Sequence, residues 1–137
     1  MRRTIRQIEY FYTMVRDQPG EAYGMLSRLG AAGVNLLAFN AVPAGVEQTQ
    51  LVLFPESADL LAQVTAEKGL VLNGPHHALL IQGDDELGAL AEIHRLLFEA
   101  GVNVSASGGV ADGRGGYGYV IYLREQDVAT AAEALGI

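Results

Sequence analysis

An acidic turn followed by a glycine occurs twice in the chain, each time directly before a helical pattern. Asp17 lies three positions before Gly20, and Asp85 lies three positions before Gly88. The free backbone N–H groups at a helix N-terminus attract a carboxylate, and a glycine lets a ligand approach the backbone closely. An aspartate supplies a counter-charge for an ammonium group. These residue types are complementary to a small zwitterion such as an α-amino acid.

Each turn is followed, at the same distance, by the tripeptide Gly-Val-Asn. The two asparagines are Asn35 and Asn103. An asparagine amide donates and accepts hydrogen bonds at once, which also suits an amino acid. An alternative reading stays open, in which each aspartate caps a helix, each glycine fits a turn, and each asparagine completes a helix C-terminus.

Composition limits the classes of function. The chain has 137 residues, of which 50% are hydrophobic and 18% charged, with a net charge of −7. A nucleic-acid-binding protein needs a basic surface, so this class is not expected. The chain has no cysteine, which excludes disulfides and thiolate chemistry. No apolar run is long enough to span a membrane, and no targeting segment is found, so we expect a cytoplasmic protein.

Local patterns predict the order β-α-β-β-α-β in the first half and the same order without the last strand in the second half. In the first helix, Ala22, Met25, Leu26 and Leu29 form one apolar face, and Gly33 is the expected stop. Ser57 is suited to cap the second helix, which should end near Gly69. The predicted elements of the first half are strands at 7–15, 34–42, 46–54 and 70–72 and helices after residues 17 and 57.

The second half repeats the first at an offset of 68 residues without a gap. The pairs Val42 with Val110 and Val52 with Val120 keep this register far beyond the turns. The predicted elements of the second half are strands at 77–82, 102–110 and 117–123 and helices at 87–100 and 127–135. The turn-rich Asn73-Gly74-Pro75 predicts a boundary between domains at 1–73 and 74–137.

The predicted fold is α+β, with two tandem ferredoxin-like βαββαβ units whose antiparallel sheets carry helices on one face. The second unit lacks its own last strand, because the strand at 70–72 projects beyond Ile137. We expect the residues around 2–5 to extend the first strand and to cover this open edge. In the first unit's second strand, Asn35, Leu37, Phe39 and Ala41 should share an outer face. This face is apolar enough to predict burial against the other unit or another chain.

These features resemble the ACT domain: the Asp-x-Pro-Gly turn, the helix after it, and the Gly-Val-Asn that opens the second strand. The resemblance covers both halves and implies a regulatory protein that binds an amino acid where two domains or subunits meet. It implies a homodimer and an enzyme partner. The second turn departs from the family pattern, since Leu87 stands in place of proline. The ligand contacts that the resemblance implies are Asp17, Pro19, Gly20, Glu21, Ala22, Asn35, Asp85, Leu87, Gly88, Ala89 and Asn103.

Other motifs do not predict catalysis, a cofactor or a metal. The Gly-x-Gly-x-x-Gly at 113–118 joins two strands, whereas a nucleotide-binding motif opens a helix. His76 and His77 are adjacent in a strand and point to opposite faces, and His94 is alone on a helix, so none of them predicts a metal site. No nucleophile with a base is assembled.

The sequence therefore predicts a non-enzymatic regulatory protein that binds an amino acid-like effector and acts on a metabolic enzyme in trans. Two alternatives stay open: an interaction subunit that docks on a metabolic enzyme without a ligand, and a small ferredoxin-like enzyme. The sequence does not name the effector, because the walls of such a pocket come partly from a neighbouring unit.

Overall fold

The structure is a computed structural model that describes residues 2–137. Across these residues it contains six strands and four helices, with a 3-10 turn at Glu125–Asp127. In chain order the elements are β1 (Arg3–Arg16), α1 (Glu21–Ala31), β2 (Leu36–Pro43), β3 (Gln48–Pro55), α2 (Ala58–Lys68), β4 (Asn73–Asp84), α3 (Ala89–Glu99), β5 (Ala106–Ala111), β6 (Gly116–Tyr122) and α4 (Val128–Leu135).

Contacts divide the chain into two compact units. The first unit is Glu9–His76, and the second unit consists of residues 2–8 and His77–Ile137. Strands β1 and β4 each contribute one part to each unit. Each unit has a sheet of four strands and two helices, which confirms the predicted α+β architecture of two ferredoxin-like repeats. The sequence-based division at residues 73 and 74 falls inside β4. As a boundary between independently folding domains it stays a prediction.

In the first unit the strands follow the order β2-β3-β1-β4. β3 pairs antiparallel with both neighbours, with Leu53 opposite Phe11 on β1 and Phe39 on β2. The apolar stripe predicted for α1 is confirmed, since Met25 and Leu29 are buried in the core. That core consists of Phe11, Met25, Leu29, Val34, Leu51, Leu53, Leu61 and Val64.

In the second unit the order is β1-β4-β6-β5. Asp84 donates its backbone N–H to the carbonyl of Arg2 at 3.1 Å, and Ile5 packs against the unit's core. Residues 2–5 therefore complete this sheet, which confirms the expectation that they cover its open edge. The core consists of Leu79, Ile81, Ile93, Leu97, Val102, Tyr119, Ile121, Leu123 and Ala131.

The strand predicted at 70–72 is wrong, because β4 begins at Asn73 and continues through the predicted turn. Gly74 is required there for close packing. A Cβ atom at this position would lie 2.7 Å from the Phe11 ring and 2.9 Å from the carbonyl oxygen of Tyr10. Pairing with β1 thus overrides the local turn preference of Asn-Gly-Pro.

The outer face predicted for β2 is also wrong in part. A register shift between Leu36 and Ala38 adds a residue to β2, and such a bulge reverses the alternation of side chains that follows it. As a result Phe39 packs against the first unit's own core together with Leu36. Phe39, one of the side chains that motivated the prediction, is therefore partly buried inside its own unit.

The cap predicted for α2 gives a direct test of local stability. Ser57 Oγ accepts a hydrogen bond from the backbone N–H of Leu60 at 3.2 Å, and Gly69 ends the helix with φ of 68°. Ser57→Ala removes this bond, and we expect it to lower the free energy of unfolding by about 1 kcal/mol. Chemical denaturation measures the change. Ser105→Ala is the control, because Ser105 is exposed in the loop before β5, and it should change stability by less than about 0.5 kcal/mol.

Candidate functional site

Both predicted turns end in a glycine that serves as a helix N-cap. Gly20 precedes α1 with φ of 90°, and Gly88 precedes α3 with φ of 76°. Neither helix has a side-chain cap, so the reading in which Asp17 and Asp85 cap these helices is wrong. Left-handed backbone is accessible to glycine, and here it turns the chain into the helix without a capping side chain. Pro19 lies before the cap and not in the first helical turn.

In the first unit the turn lies against the β2–β3 hairpin. The backbone N–H of Asp17 donates to the carbonyl of Glu47 at 2.8 Å, and Gln18 Nε2 donates to Glu21 Oε1 at 2.9 Å. A cavity of about 600 Å³ lies beside this contact. It is lined by Arg16, Asp17, Gln18, Val46, Glu47 and Gln48. Its wall is mostly polar, and Gly20, Glu21 and Ala22 do not line it.

In the second unit the whole turn lines a cavity of about 430 Å³ together with parts of β5 and β6. Within residues 2–137 the N–H groups of Gly88 and Leu90 have no hydrogen-bond partner, whereas that of Ala89 donates to Glu86 at 3.2 Å. The start of α3 therefore presents unpaired donors and the positive end of the helix dipole. The cavity is lined by residues 85–91, 109–111, 117 and 118. We call it the α3 cavity.

Tyr117 lines the α3 cavity and carries an unsatisfied polar atom. Its hydroxyl oxygen is buried and has no hydrogen-bond partner among the described residues. Burial raises the pKa of Tyr117, Arg3 lowers it by a smaller amount, and Glu86 adds to the rise. The hydroxyl therefore keeps its proton at neutral pH. A buried donor without a partner costs roughly 1–3 kcal/mol.

An ion pair connects the start of β1 to α3. Arg3 Nη1 lies 3.0 Å from Glu92 Oε2, and the two side chains are 22% and 43% exposed. Since the pair is partly exposed, its contribution to stability is modest, about 1 kcal/mol or less. Its effect is to hold the first residues of β1 against the first turns of α3, close to Tyr117.

The two asparagines lie away from the turns of their own units. Asn35 precedes β2, and the first residue of β2 lies opposite Pro55 at one end of β3. The turn follows Arg16, which lies opposite Gln48 at the other end of β3. At about 3.3 Å per residue, roughly 20 Å of strand separates them. Asn103 similarly precedes β5, at the sheet end opposite Asp84. One unit therefore does not bring its turn and its asparagine together.

The asparagines also differ in their contacts. Asn35 Nδ2 donates to Glu56 Oε2 at 3.0 Å, and the Asn35 carbonyl accepts from the Glu56 N–H at 2.8 Å. Asn103 is exposed, and its side chain has no hydrogen bond within residues 2–137. Neither asparagine completes a helix C-terminus, since the caps are Ala32 and Ala100.

The histidines have side-chain partners. His94 Nε2 lies 2.7 Å from the Tyr119 hydroxyl, which donates to Ser107 Oγ at 2.7 Å. His76 Nε2 lies 2.6 Å from Asn73 Oδ1, and His77 Nδ1 lies 3.0 Å from Glu125 Oε2. Across residues 2–137 no three His, Asp or Glu side chains are grouped so that they could hold a metal ion. In the same range, no helix has both the length and the apolar character needed to cross a membrane.

The glycine-rich motif lies in the hairpin loop between β5 and β6, as the sequence predicts. Asp112 Oδ1 accepts from the N–H groups of Arg114 at 2.6 Å and Gly116 at 3.1 Å. The motif leads into β6 and not into a helix. A nucleotide-binding role for it is therefore not supported.

Sequence reasoning missed Tyr117, Val110 and Arg3 as residues around the second turn. The repeat gives a partial signal for Tyr117, because its counterpart at the offset of 68 is Thr49, a change from a small to a large side chain. Nothing local marks Arg3, which reaches this region only because the first part of β1 belongs to the second unit.

No family model matches the chain, and no curated protein matches it. Solved structures are similar to it over nearly its whole length. A Bacteroides thetaiotaomicron protein has a TM-score of 0.79 at 17% identity, over 96% of this chain and 88% of its own. The regulatory subunits of aspartate kinase from Thermus thermophilus (ligand-free form) and Thermus flavus have TM-scores of 0.61 and 0.59 at 16% and 17% identity, each over 98% of this chain and 94% of its own. At these identities the likeness concerns the fold, and it confirms the fold of ACT-type regulatory domains.

Proposed function

We propose that this protein is a cytoplasmic, non-enzymatic regulatory protein that binds an amino acid. The observation that carries the proposal is the α3 cavity. It combines unpaired N–H donors at a helix N-terminus with the carboxylates of Asp85 and Glu86. A simple anion is repelled by these two carboxylates, whereas a zwitterion meets a group of opposite charge at each end. The fold shared with regulatory subunits of aspartate kinase is in keeping with this role.

The predicted contacts divide into those that can act within one unit and those that cannot. Asp85, Leu87, Gly88 and Ala89 line one cavity. An asparagine reaches a turn only from a neighbouring unit, and we propose that a second subunit of a homodimer supplies it. Asn103 is suited to this role, because its side chain is exposed and makes no hydrogen bond within the described residues.

A thermal-shift screen of the purified protein against the twenty common amino acids tests the proposal. A ligand that binds only the folded state adds about 2.7 kcal/mol of stability at a hundredfold excess over Kd. For a chain of this size that gain raises Tm by several degrees. We expect one or a few amino acids to produce such a shift. A panel in which no compound moves Tm by as much as about one degree would contradict an amino acid-binding role.

The contribution of the asparagines is measured by titration of the amino acid that shifts Tm most. Asn103→Ala removes an exposed amide, so we expect it to weaken binding by about tenfold, the effect of one lost hydrogen bond of about 1.4 kcal/mol. Its stability without ligand should not change. Asn35→Ala is the matched variant in the first unit, and it also breaks the bond to Glu56. Unchanged affinity in Asn103→Ala would remove this residue from the proposed site.

A second candidate function is an interaction subunit that docks on a metabolic enzyme without a ligand of its own. Two exposed aromatic side chains favour it, since Phe98 on α3 is 80% exposed and Tyr23 on α1 is 76% exposed. Exposed aromatic residues are common anchors of protein interfaces. This function would be favoured if a stoichiometric enzyme co-purifies with the protein and is lost in Phe98→Ala or Tyr23→Ala. In that case no amino acid of the thermal-shift screen should change Tm.

A further inference from the structure

We propose that Asn73 is a self-modifying site of the first unit, where the side-chain amide is lost as ammonia and His76 donates a hydrogen bond to the reacting group. The site involves none of the residues that line the α3 cavity, and it does not depend on amino acid binding. It is formed by the sequence at the start of β4 and by the side chains that β1 places beside it.

The sequence at the start of β4 supplies both reacting groups. An asparagine loses ammonia when the backbone nitrogen of the next residue attacks its side-chain carbonyl carbon. A side chain on that next residue hinders the attack, and a glycine does not. The chain has four asparagines, and Asn73 alone precedes a glycine. Leucine, alanine and valine follow Asn35, Asn40 and Asn103.

The reaction needs water and no other reactant. The Gly74 nitrogen gives up its proton to solvent and forms a bond to Asn73 Cγ. The bond from Cγ to Nδ2 breaks, and Nδ2 takes up a proton and leaves as ammonia. Water then opens the resulting cyclic imide at either carbonyl. One opening restores the main chain with an aspartate, and the other routes the main chain through Cγ and gives an isoaspartate.

His76 presents a donor to the atom on which charge develops. Its Nε2 lies 2.6 Å from Asn73 Oδ1. An amide oxygen only accepts hydrogen bonds, so Nε2 carries the proton in this contact. Attack on Cγ turns Oδ1 into an oxyanion, and a donor that is already in place stabilises this state more than it stabilises the neutral amide. The contact with His76 therefore lowers the barrier to the loss of ammonia.

Two tyrosines hold the His76 ring in position. Tyr12 stacks on it with ring centroids 5.4 Å apart and ring planes at 21°, and Tyr10 lies 5.2 Å away at 31°. Ring pairs at such distances attract one another. These three side chains are partly buried, whereas Asn73 is exposed to the water that opens the imide. The donor is thus fixed before the reaction begins.

The extended backbone of β4 opposes the reaction, because the Gly74 nitrogen must turn toward Asn73 Cγ. Asn73 is the first residue of β4, and residues 70–72 precede it without regular secondary structure. Strand ends open more readily than strand centres. A rotation at Asn73 therefore moves the segment before the sheet, and the strand beyond Gly74 keeps its place.

The isoaspartate adds a methylene group to the main chain directly before Gly74. Gly74 is tightly packed, since a Cβ atom there would lie 2.7 Å from the Phe11 ring. The added length therefore displaces the residues before β4, among them Leu70 and Leu72, which pack against the first unit's core. We expect the isoaspartyl chain to melt at a lower temperature than the unmodified chain.

Incubation of the full chain at neutral pH, followed by peptide mass mapping, tests the site. The replacement of an amide by a carboxylate should be at least about tenfold faster at Asn73 than at each of the other three asparagines. Equal rates at all four asparagines would overturn the proposal, and this comparison needs no variant.

His76→Phe isolates the role of the donor. It keeps an aromatic ring beside Tyr10 and Tyr12 and removes the hydrogen bond to Asn73. The folded variant should lose ammonia at Asn73 about tenfold more slowly, the effect of one lost hydrogen bond to a developing charge. In denaturant, where the contact is absent, the variant and the unmodified chain should react at the same rate.

His77→Phe is the matched control, because the neighbouring His77 ring contacts Glu125 instead. It should leave the rate at Asn73 unchanged. The melting temperature of each variant shows that it is folded. A folded His76→Phe protein that reacts as fast as the unmodified chain would overturn the role of His76.

Asn73→Asp separates the added charge from the added methylene group. The isoaspartyl chain, isolated by ion exchange, should melt at a lower temperature than Asn73→Asp, because only the former lengthens the main chain. Equal melting temperatures would overturn the predicted displacement before β4.

Discussion

A chain that begins at residue 9 is expected to lose the folded second unit and to keep the first. Residues 3–8 of β1 form one strand of the second unit's sheet, where Arg2 accepts a hydrogen bond from Asp84 and Ile5 packs on the core. Ile8 is only 7% exposed. The truncation exposes the apolar neighbours of both isoleucines, at a cost of about 3 kcal/mol or more, and leaves the edge of β4 unpaired.

Two-dimensional ¹⁵N–¹H spectra and a thermal melt measure this effect. We expect dispersed peaks for residues 9–76 and collapsed peaks for residues 77–137. Gln7→Ala is the control, since Gln7 is exposed on the same strand and its removal should change stability by less than about 0.5 kcal/mol. If the truncated chain melts at the temperature of the full chain, residues 2–8 do not complete the second sheet.

Ile93→Ala is expected to destabilise the second unit by about 2–5 kcal/mol. Ile93 lies at the centre of α3, is 0% exposed, and belongs to the core cluster with Ile81 and Leu97. Removal of its side chain leaves a cavity that the surrounding strands and helix cannot fill without strain. Chemical denaturation should show the midpoint falling, and Tm should fall by roughly 10 °C.

Phe98→Ala on the same helix is the matched control. It removes a larger side chain, but Phe98 is 80% exposed, so we expect a change of less than about 1 kcal/mol. Equal losses in the two variants would mean that α3 does not present Ile93 to the core. The comparison therefore tests the helical register that also positions Gly88 and the α3 cavity.

Local patterns predicted most helices and strands, because the residues that begin and end these elements lie close together in the sequence. The apolar face of α1, the cap at Ser57 and the stop at Gly69 each depend on residues within one or two turns. Because the sequence repeats at an offset of 68 residues, the helices and strands of the second half could be predicted from those of the first. Two errors came from non-local effects: β4 begins at Asn73 because it pairs with β1, and Phe39 faces the core because of a bulge in β2.

The candidate site was predictable only in part. The turn at residues 85–89 could be identified from the acidic residue, the glycine and the following helix, but its walls come from β5 and β6, which are distant in sequence. The difference between the two turns depends on which side chains the hairpins place beside them. Helix capping by Asp17 and Asp85 was a reasonable expectation that fails because a glycine in left-handed backbone takes the N-cap position in both units.

The most direct test of the account is a titration of the ¹⁵N-labelled full chain with the amino acid that raises Tm most, followed by two-dimensional ¹⁵N–¹H spectra. The account predicts the largest shifts at the amides of Gly88, Leu90 and Val110, which line the α3 cavity. Gly88 and Leu90 have N–H groups that are unpaired within the described residues and lie beside the α3 cavity, so a bound carboxylate must change their environment. Shifts confined to the first unit, or a spectrum that this amino acid leaves unchanged, would contradict it.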